Sequence, residues 1–392
     1  MAWKMDTVVA WLFRDARTIS DGNKFIEQLG RQLIESGAPV WRLRLGCRII
    51  HPQFGGLSFT WSDDLEHAVE FQPKHGFQDN SIYIGSPFQY VTDTGQSFRR
   101  RTHELVEGKD HQLLFDLATE NVTDYLAIPM RMSDGNTANF VSASKLDRGF
   151  TDDDIAQLEE LALFLAPVFE IIVMRRLAST ILNTYVGRRT GERVLSGQIH
   201  RGDGELIHSA IWFSDLRDFT PLTESLEPQA LLDLLNAYFE IIYTAVISRG
   251  GEVLRFIGDA MLIVFPVDEM VSPNQACEAA LDAAQDAFGE LAILNVQRKQ
   301  TGQPSIRFGV GLHLGEVIYG NVGAPDRLDF TVMGPAVNRT ARLESLTKDL
   351  GSFLLMSSDF AEIVGKETRS LGHHSMKGVA EKQEVFALLP ET

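Results

Sequence analysis

Residues 211–220, IWFSDLRDFT, begin as a buried strand and then place a carboxylate, Asp215, directly after the apolar half. A buried carboxylate is costly unless it is paired or binds a cation, so Asp215 lies either at a solvated strand end or beside a bound cation. Residues 252–266, EVLRFIGDAMLIVFP, read as a hairpin of two short strands with Asp259 in its turn. Two acids at strand ends suit a hard divalent cation, which prefers oxygen ligands, although each acid taken alone reads better as a solvated turn residue.

Around these two segments the chain alternates between predicted strands and predicted helices from Ala210 onward. Residues 228–251 and 274–299 are predicted helices, the first closed by a glycine pair. Residues 306–323 are predicted as a second strand pair, and residues 328–347 as a strand, a turn and a helix. This order predicts an α/β sandwich with a mixed, mainly antiparallel sheet.

Residues 1–150 predict a separate α+β region, with strands in the middle and helices at both ends. Apolar side chains at helical spacing indicate a helix over residues 5–37, broken near residues 20–22. The segments that read as strands are WRLRLGCRII (41–50), SIYIG (81–85), YLAIPM (125–130) and ANFVSASK (138–145).

An apolar stripe at helical spacing joins the two regions. We expect Thr151 to be the N-cap of this helix, Asp152 to Asp154 to suit its positive end, and Pro167 to bend or interrupt it. The stripe consists of Leu158, Leu161, Leu165, Val168, Ile172, Leu177 and Ile181. It fits either a core helix or a dimerising connector, and we expect core packing at its start and coiled-coil-like pairing later.

The composition is that of an acidic globular chain. It has 392 residues and a formal net charge of −17, which disfavours non-specific binding to nucleic acid. The cysteines, Cys47 and Cys277, have no metal-type spacing and fit a reducing compartment. The most lipid-like run, residues 161–174, is too short to span a bilayer and contains Glu170. Since charges also interrupt the N-terminal apolar stretch, we expect a cytoplasmic protein without a signal peptide or membrane span.

Four segments resemble, in their order, the motifs of class III nucleotidyl cyclases. They are FSDLRDFT (213–220), GGEVLRFIGDAMLIVF (250–265), FGVGLHLGEVIYGNVG (308–323) and FTVMGPAVNRTARLES (330–345). Four ordered motifs are far more specific than one glycine pattern. The resemblance spans residues 209–389 and implies a catalytic domain with a ferredoxin-like core.

Residues 125–170 resemble, less specifically, the last strands and closing helix of a GAF-type sensory domain. Together the two resemblances predict a GAF-like sensory domain at 1–154, a helical connector and linker at 155–208, and a class III cyclase catalytic domain at 209–392.

The resemblance to the cyclases assigns roles to the residues of the first two motifs. Asp215 and Asp259 match the aspartates that hold two Mg²⁺ ions per site, with Mn²⁺ as a substitute, and Leu216 is a further metal position. Backbone N–H groups near Phe219 and Thr220, at a helix start, are expected to contact the phosphates.

The last motif supplies the residues that resemble the family's transition-state pair, Asn338 and Arg342. Four residues apart on a helix, they share one face. The asparagine would orient the ribose, and the arginine would neutralise charge that grows at the α-phosphate. The alternative for Arg342 is a surface salt bridge with Glu344 or Asp349. Lys377 resembles a phosphate-contacting lysine.

The positions that match the family's base-reading pair are Arg255 and Thr331. Adenine-specific members often have lysine and aspartate there; threonine is the alternative of one subgroup, and its hydroxyl still accepts a hydrogen bond from the adenine amino group. Arginine is larger and planar. The glutamate and cysteine pair typical of guanine-reading members is absent. Asp218 stands where the family usually has glycine; it either faces the triphosphate and repels it, or faces Arg217 or solvent.

In the family, the aspartates and the transition-state pair come from different chains of a dimer, so this chain would form a homodimer with two equivalent sites. The resemblance therefore implies an adenylate cyclase that converts ATP to cyclic AMP and pyrophosphate. An unknown small molecule or protein would act as the signal at its N-terminal domain. Two alternatives stay open: a catalytically silent nucleotide-binding signalling module, and a guanylate cyclase.

Overall fold

The computed structural model describes residues 3–198, 200–379 and 381–389. The chain falls into two structural units, residues 1–181 and residues 182–392. The helices that begin in the first unit are α1 (Met5–Arg14), α2 (Gly22–Glu35), α3 (Pro87–Thr94), α4 (Gln112–Thr119) and α5 (Asp152–Val186). Its strands are β1 (Arg42–Arg48), β2 (Gly56–Ser62), β3 (Val69–Phe71), β4 (Phe98–Arg101), β5 (Asp124–Arg131) and β6 (Thr137–Ser144).

The first unit is built on one antiparallel sheet with the strand order β3-β2-β1-β6-β5-β4. Side chains alternate along a strand, so the sheet has two distinct faces. Leu43, Leu45 and Phe140 point to the face that packs against α1, α2 and α5. Val141 and Tyr125 point to the other face, which packs against α3 and α4. Apolar residues on both faces therefore hold this sheet between helices.

Most of the elements predicted in this region are confirmed. The N-terminal helical segment breaks before α2, where the Asp21 side chain accepts a hydrogen bond from the Lys24 N–H at 2.9 Å. The strand predicted over residues 81–85 is wrong, because this segment forms turns. The Asn80 side chain accepts from the Ile82 N–H, and Gly85 adopts a φ of +74°, a left-handed conformation that suits glycine and ends an extended run.

The helix α5 starts where the sequence predicts but does not break at Pro167. Thr151 accepts from the Asp154 N–H at 3.2 Å, while the Asp154 carboxylate accepts from the Thr151 N–H at 2.9 Å. The helix then runs through Pro167, so the predicted interruption is wrong, while a bend there stays a prediction. Pro167 has no N–H, so the carbonyl of Leu163 loses its hydrogen-bond donor. Both residues lie on the exposed side of the helix, where that carbonyl is open to water.

The first part of the apolar stripe on α5 packs into the core of the first unit. Its buried members are Leu158, Leu161, Leu165, Val168 and Ile172. Leu177 and Ile181 are only half-buried. Residues 155–181 thus belong to the first unit by their contacts, and α6 (Arg188–Leu195) follows in the second. The three-part division into sensor, connector and catalytic domain stays a prediction, as does pairing of α5 with a second chain.

The second unit contains a larger sheet. Its further helices are α7 (Phe219–Ser225), α8 (Pro228–Ser248), α9 (Pro273–Gln300), α10 (Pro335–Asp349) and α11 (Ser358–Ala361). Its strands are β7 (Gly204–Leu216), β8 (Glu252–Ile257), β9 (Ala260–Pro266), β10 (Phe308–Ala324), β11 (Arg327–Met333), β12 (Leu354–Ser357), β13 (Thr368–His374) and β14 (Gln383–Leu388).

The strand order is β13-β14-β12-β10-β7-β9-β8, with β11 paired to β10. Only the β10–β12 pair is parallel among the described strands, so the predicted mixed, mainly antiparallel sheet is confirmed. One face packs against α8 and α9 around Trp212, Tyr238 and Phe308. Leu343 of α10 belongs to a separate cluster with Leu355 of β12.

The strand pair predicted at residues 306–323 is wrong, because β10 is one continuous strand. Its glycines are not turns. A Cβ on Gly311 would lie 2.5 Å from the Thr340 carbonyl oxygen, and one on Gly309 would collide with the Arg217 guanidinium. Glycine is therefore required there so that α10 and a buried arginine can approach the sheet closely.

In the described part of the chain, α8 is the one helix whose length and composition would allow it to cross a membrane. It contributes Leu234, Tyr238 and Ile242 to the core of the second unit, which is the usual position of an apolar core helix. This observation is weak evidence for a membrane span, and the expected absence of one stays a prediction.

Candidate active site

The pairing of β7 with β9 brings two acids together. Asp215 is the penultimate residue of β7 and lies opposite Ala260, the first residue of β9. Asp259 precedes Ala260 in the turn from β8, where Gly258 adopts a φ of +66°. Burial and the adjacent negative charge of Asp215 raise the pKa of Asp259 to about 6. The two carboxylates are thus held close enough to repel each other.

The pair opens into a cavity of about 620 Å³. The residues predicted for metal and phosphate that line it are Asp215, Leu216, Phe219, Thr220 and Asp259. The structure therefore brings together the residues of the first motif and the acid of the second. Among the described residues, no group of three or more His, Cys, Asp and Glu side chains could hold a metal ion, so the pair offers two carboxylates and no larger cluster.

Lys348 is a neighbour of this pair that the sequence analysis did not single out. Its Nζ lies 3.7 Å from Asp215 Oδ2, and it lines the same cavity from the last turn of α10. The last family motif ends at Ser345, so no local signal points to Lys348. It supplies a positive charge that acts on both Asp215 and Asp259.

A buried ion pair lies beside the metal positions. Arg217 Nη1 is 3.1 Å from Glu344 Oε1, and only 10% and 3% of the two side chains are exposed. Arg217 also contacts the Thr347 hydroxyl. Burial raises the pKa of Glu344 to about 7 even though the Arg217 charge opposes this shift. The pair joins the loop after Asp215 to α10.

Asp218, the departure from the family's glycine, has a backbone reason and a partner. Its φ is +58°, in the left-handed region where glycine is the default and Asp and Asn are the best tolerated replacements. Its Oδ2 accepts a hydrogen bond from Arg307 at 2.6 Å. The carboxylate is therefore paired with Arg307, which partly neutralises its charge, and not with Arg217.

The predicted base-reading positions lie away from this cavity, on β8 and β11, which are not paired with each other but are joined by an ion pair. Arg255 of β8 forms an ion pair with Asp329 of β11. Thr331 lies two residues after Asp329, so both point to the same face of β11. The Thr331 hydroxyl is buried and has no hydrogen-bond partner among the described residues. Asp329 was missed by sequence reasoning because its role depends on which strand lies beside it.

The remaining predicted residues also lie outside the cavity. Asn338 and Arg342 are exposed on one face of α10, and Lys377 is exposed after β13. Within the described chain Arg342 forms no salt bridge, and Glu344 pairs with Arg217 instead. The acids and the transition-state pair are therefore presented on different surfaces of one chain.

Comparison with known proteins identifies this unit. A sequence profile described as the adenylate and guanylate cyclase catalytic domain matches residues 206–389. The C-terminal half of the chain is a class III cyclase catalytic domain. An adenylate cyclase of Anabaena cylindrica is 36% identical over 161 residues, which are 41% of this chain and 31% of that protein. Adenylate cyclase 1 of Rhizobium meliloti is 33% identical over 147 residues, 37% of this chain and 22% of that protein.

Among solved structures, a bacterial light-regulated adenylyl cyclase is 33% identical, with a TM-score of 0.42 and coverage of 47% of this chain and 91% of that chain. The chain spans about a third or less of the two curated relatives. The profile match therefore identifies residues 206–389 as a cyclase catalytic domain, as the motifs predicted, and does not extend to the first unit.

Proposed function

We propose that the chain is an adenylate cyclase that converts ATP to 3′,5′-cyclic AMP and pyrophosphate. The observation that carries the proposal is that the Asp215–Asp259 pair faces a cavity. Phe219 and Thr220, which are expected to contact the phosphates, line the same cavity. In the reaction the ribose 3′-oxygen bonds to the α-phosphorus, the bond from that phosphorus to pyrophosphate breaks, and the hydroxyl proton is released.

The donor set fits magnesium. Both acids offer only oxygen ligands, burial and the neighbouring charge of Asp215 raise the pKa of Asp259, and the cavity beside them is large enough for a triphosphate. Two Mg²⁺ ions would be held by Asp215 and Asp259, with Leu216. When bound, such ions lower the pKa of the 3′-hydroxyl and offset the charge of the phosphates. Mn²⁺ would substitute for Mg²⁺. Lys348 and Arg307 add positive charge at the cavity wall.

Thr331 supports adenine as the base. Its hydroxyl is buried and unpartnered in the described chain, and an unpaired buried hydroxyl is costly unless a ligand satisfies it. It would accept a hydrogen bond from the adenine amino group. Arg255, held by Asp329, would donate to the base. Asn338 would orient the ribose and Arg342 would neutralise charge on the α-phosphate, with Lys377 as a further phosphate contact.

We also propose that the active enzyme is a homodimer. One chain presents its acids in the cavity and its transition-state pair on an exposed face of α10, so a second copy can complete each site. Apolar side chains are exposed on β8 and β11, which carry the base-reading positions, and on β10, which pairs with β11. They are Phe256, Ile257, Ile318, Val322 and Leu328. Burial of this surface by a second chain would favour association.

The first unit would regulate the cyclase domain as a GAF-like sensor in the cytoplasm. A ligand or protein partner there changes the rate only to the extent that it binds two states with different affinity. The helix α5, which leaves the core of the first unit with half-buried Leu177 and Ile181, is the element that would transmit such a change.

Product identification tests the activity. Purified protein is incubated with ATP or GTP and Mg²⁺ or Mn²⁺, and the nucleotides are separated by chromatography. We expect cyclic AMP and pyrophosphate from ATP, a lower yield from GTP, and no product from Asp259→Asn. Cyclic GMP as the main product would identify a guanylate cyclase, and nucleotide binding without turnover a silent module.

Complementation tests the dimer. Asp215→Asn and Arg342→Ala should each be inactive, and a 1:1 mixture that exchanges subunits should recover about a quarter of wild-type activity, because half of the dimers are mixed and each has one intact site of two. Verified mixed dimers without recovery would show that each site is built within one chain.

A further inference from the structure

A second cavity, of about 170 Å³, lies in the first unit, far along the sequence from the cyclase motifs. It is formed by β1, β2 and β6, by α3 and by residues 73–83. Arg44 and Gly46 of β1 border it, while their neighbours Leu43 and Leu45 point to the opposite face of the sheet. Gly46 leaves the sheet surface open at this point, since it has no side chain to fill the space.

Arg44 is a half-buried cation without a counterion in the described chain. Its Nη2 donates to the Ser58 hydroxyl at 3.1 Å, and its guanidinium carbon lies 4.3 Å from the centre of the Phe88 ring. Its Nε is buried and has no hydrogen-bond partner in the described chain. Among the described residues no carboxylate forms an ion pair with Arg44, and burial lowers its pKa. A guanidinium in this state is costly unless an anion joins it.

The other charged groups around the cavity have the same sign. Arg48, Lys74 and His75 line it, and its lining contains no Asp or Glu. Arg48 donates to the Tyr83 hydroxyl at 3.1 Å rather than to an acid. In a chain with a net charge of −17, this local excess of cationic side chains is a departure from the average surface and favours an anionic ligand.

The size and the remaining walls restrict the ligand further. A water-sized group occupies roughly 10–15 Å³ of such a cavity, so about a dozen non-hydrogen atoms fit, fewer than a nucleotide has. Phe77 and Phe88 give the cavity apolar walls. The Asn139 Oδ1 atom is buried and unpartnered in the described chain, so it can accept a hydrogen bond from a donor on the ligand.

We propose that this cavity binds a small organic anion, whose acidic group pairs with Arg44, whose flat apolar body packs against Phe77 and Phe88, and whose hydroxyl or amine donates to Asn139. An aromatic hydroxy acid has this chemistry. The proposal concerns binding alone, so it stands or falls independently of the activity of the cyclase domain.

Calorimetric titration of the full chain tests the proposal with benzoate, hydroxybenzoates, inorganic phosphate and benzamide. Benzamide has nearly the shape of benzoate but no charge. We expect the wild type to bind benzoate and to bind at least one hydroxybenzoate more tightly, with benzamide at least tenfold weaker. Arg44→Met should weaken benzoate binding at least tenfold, and Arg44→Lys should give an intermediate loss because lysine keeps the charge without the planar fork.

Arg131→Met is the matched control, because Arg131 is an exposed arginine of β5 outside the cavity. It should bind benzoate like the wild type. Arg44→Met should also unfold at a temperature no lower than that of the wild type in the absence of ligand, since an unpaired buried charge contributes little stability.

Four results would overturn the proposal. Benzamide binding as tight as benzoate would show that the cavity does not read charge. Unchanged benzoate binding by Arg44→Met and Arg44→Lys would place the anion elsewhere. Binding of phosphate but of no carboxylate would exclude an organic ligand, and binding of none of these anions would exclude an anion site.

Discussion

Replacing Asp215 by asparagine should stabilise the metal-free cyclase domain while it abolishes turnover. Most substitutions destabilise a protein, so the expected sign is unusual. The reason is the repulsion between Asp215 and Asp259, which contributes to raising the pKa of Asp259 from 3.8 to about 6. An asparagine at position 215 keeps the shape of the side chain, removes its charge and can donate a hydrogen bond to Asp259.

The magnitude follows from the causes of that shift. Two pKa units correspond to about 3 kcal/mol of unfavourable free energy for the charged form. Burial of Asp259 is the larger cause and Asp215 the second, so the substitution can recover only a minor part. It also removes the attraction of Lys348, which is half-exposed and contributes little. The free energy of unfolding should therefore rise by about 1 kcal/mol.

Urea unfolding of the full chain in a chelator, followed for the transition of the cyclase domain, measures this change. Asp286→Asn is the matched control, because Asp286 is an exposed acid that pairs favourably with Arg249 at 2.8 Å. Its free energy of unfolding should be unchanged or slightly lower than that of the wild type. Added Mg²⁺ should stabilise the wild type and not Asp215→Asn. A variant that is less stable than the wild type in chelator, or equally stabilised by Mg²⁺, would refute the reasoning.

The remaining predictions concern a buried histidine, the Asp218 turn and the Arg255 ion pair. Burial lowers the pKa of His313 to about 3, so only the unfolded chain takes up a proton as the pH falls below 6.5. The free energy of unfolding of the cyclase domain should therefore fall by about 2 kcal/mol by pH 5. In His313→Gln this free energy should depend less on pH, and an unchanged pH dependence would contradict the reasoning. Asp218→Gly suits the φ of +58° and removes a negative charge beside the cavity, so KM for ATP should fall by roughly two- to fivefold with kcat little changed; an unchanged KM would show that Asp218 is already neutralised. Asp329→Asn should shift the ratio of ATP to GTP turnover by roughly two- to fivefold by loosening Arg255, and should have no effect in an Arg255→Ala background if Asp329 acts only through that side chain.

Elements whose signals are local could be predicted from the sequence. The β8–β9 hairpin follows from two apolar runs around a Gly-Asp turn, and the start of α5 follows from Thr151 and Asp154. Glycine is where local reasoning failed. The strand pair predicted for residues 306–323 requires a turn, but Gly309 and Gly311 lie within one strand and make room for Arg217 and α10. The sequence does not distinguish a glycine needed for its backbone freedom from one needed for its small size.

Partners that come from distant segments could not be predicted. Asp218 pairs with Arg307 and Arg255 with Asp329, and these contacts depend on how distant segments of the chain fold against one another. The same limit applies to the cavity of the first unit. The sequence shows that β1 has basic residues on one face, but only the packing of α3 and residues 73–83 over that face shows that Arg44 is half-buried and has no counterion in the described chain.

The buried Arg217–Glu344 pair has a consequence for the proposed homodimer. Glu344 anchors α10 to the loop that follows Asp215 in its own chain, whereas Asn338 and Arg342 on the exposed face of the same helix would serve the partner's acids. In such a dimer each α10 would contact the site of its own chain through the buried ion pair and the site of the partner chain through its exposed side chains. Because such a pair tolerates little displacement without leaving a charge unpaired, a shift of α10 would be felt at both sites. A change in how two chains meet, brought about through α5, would then alter the two active sites together rather than one at a time.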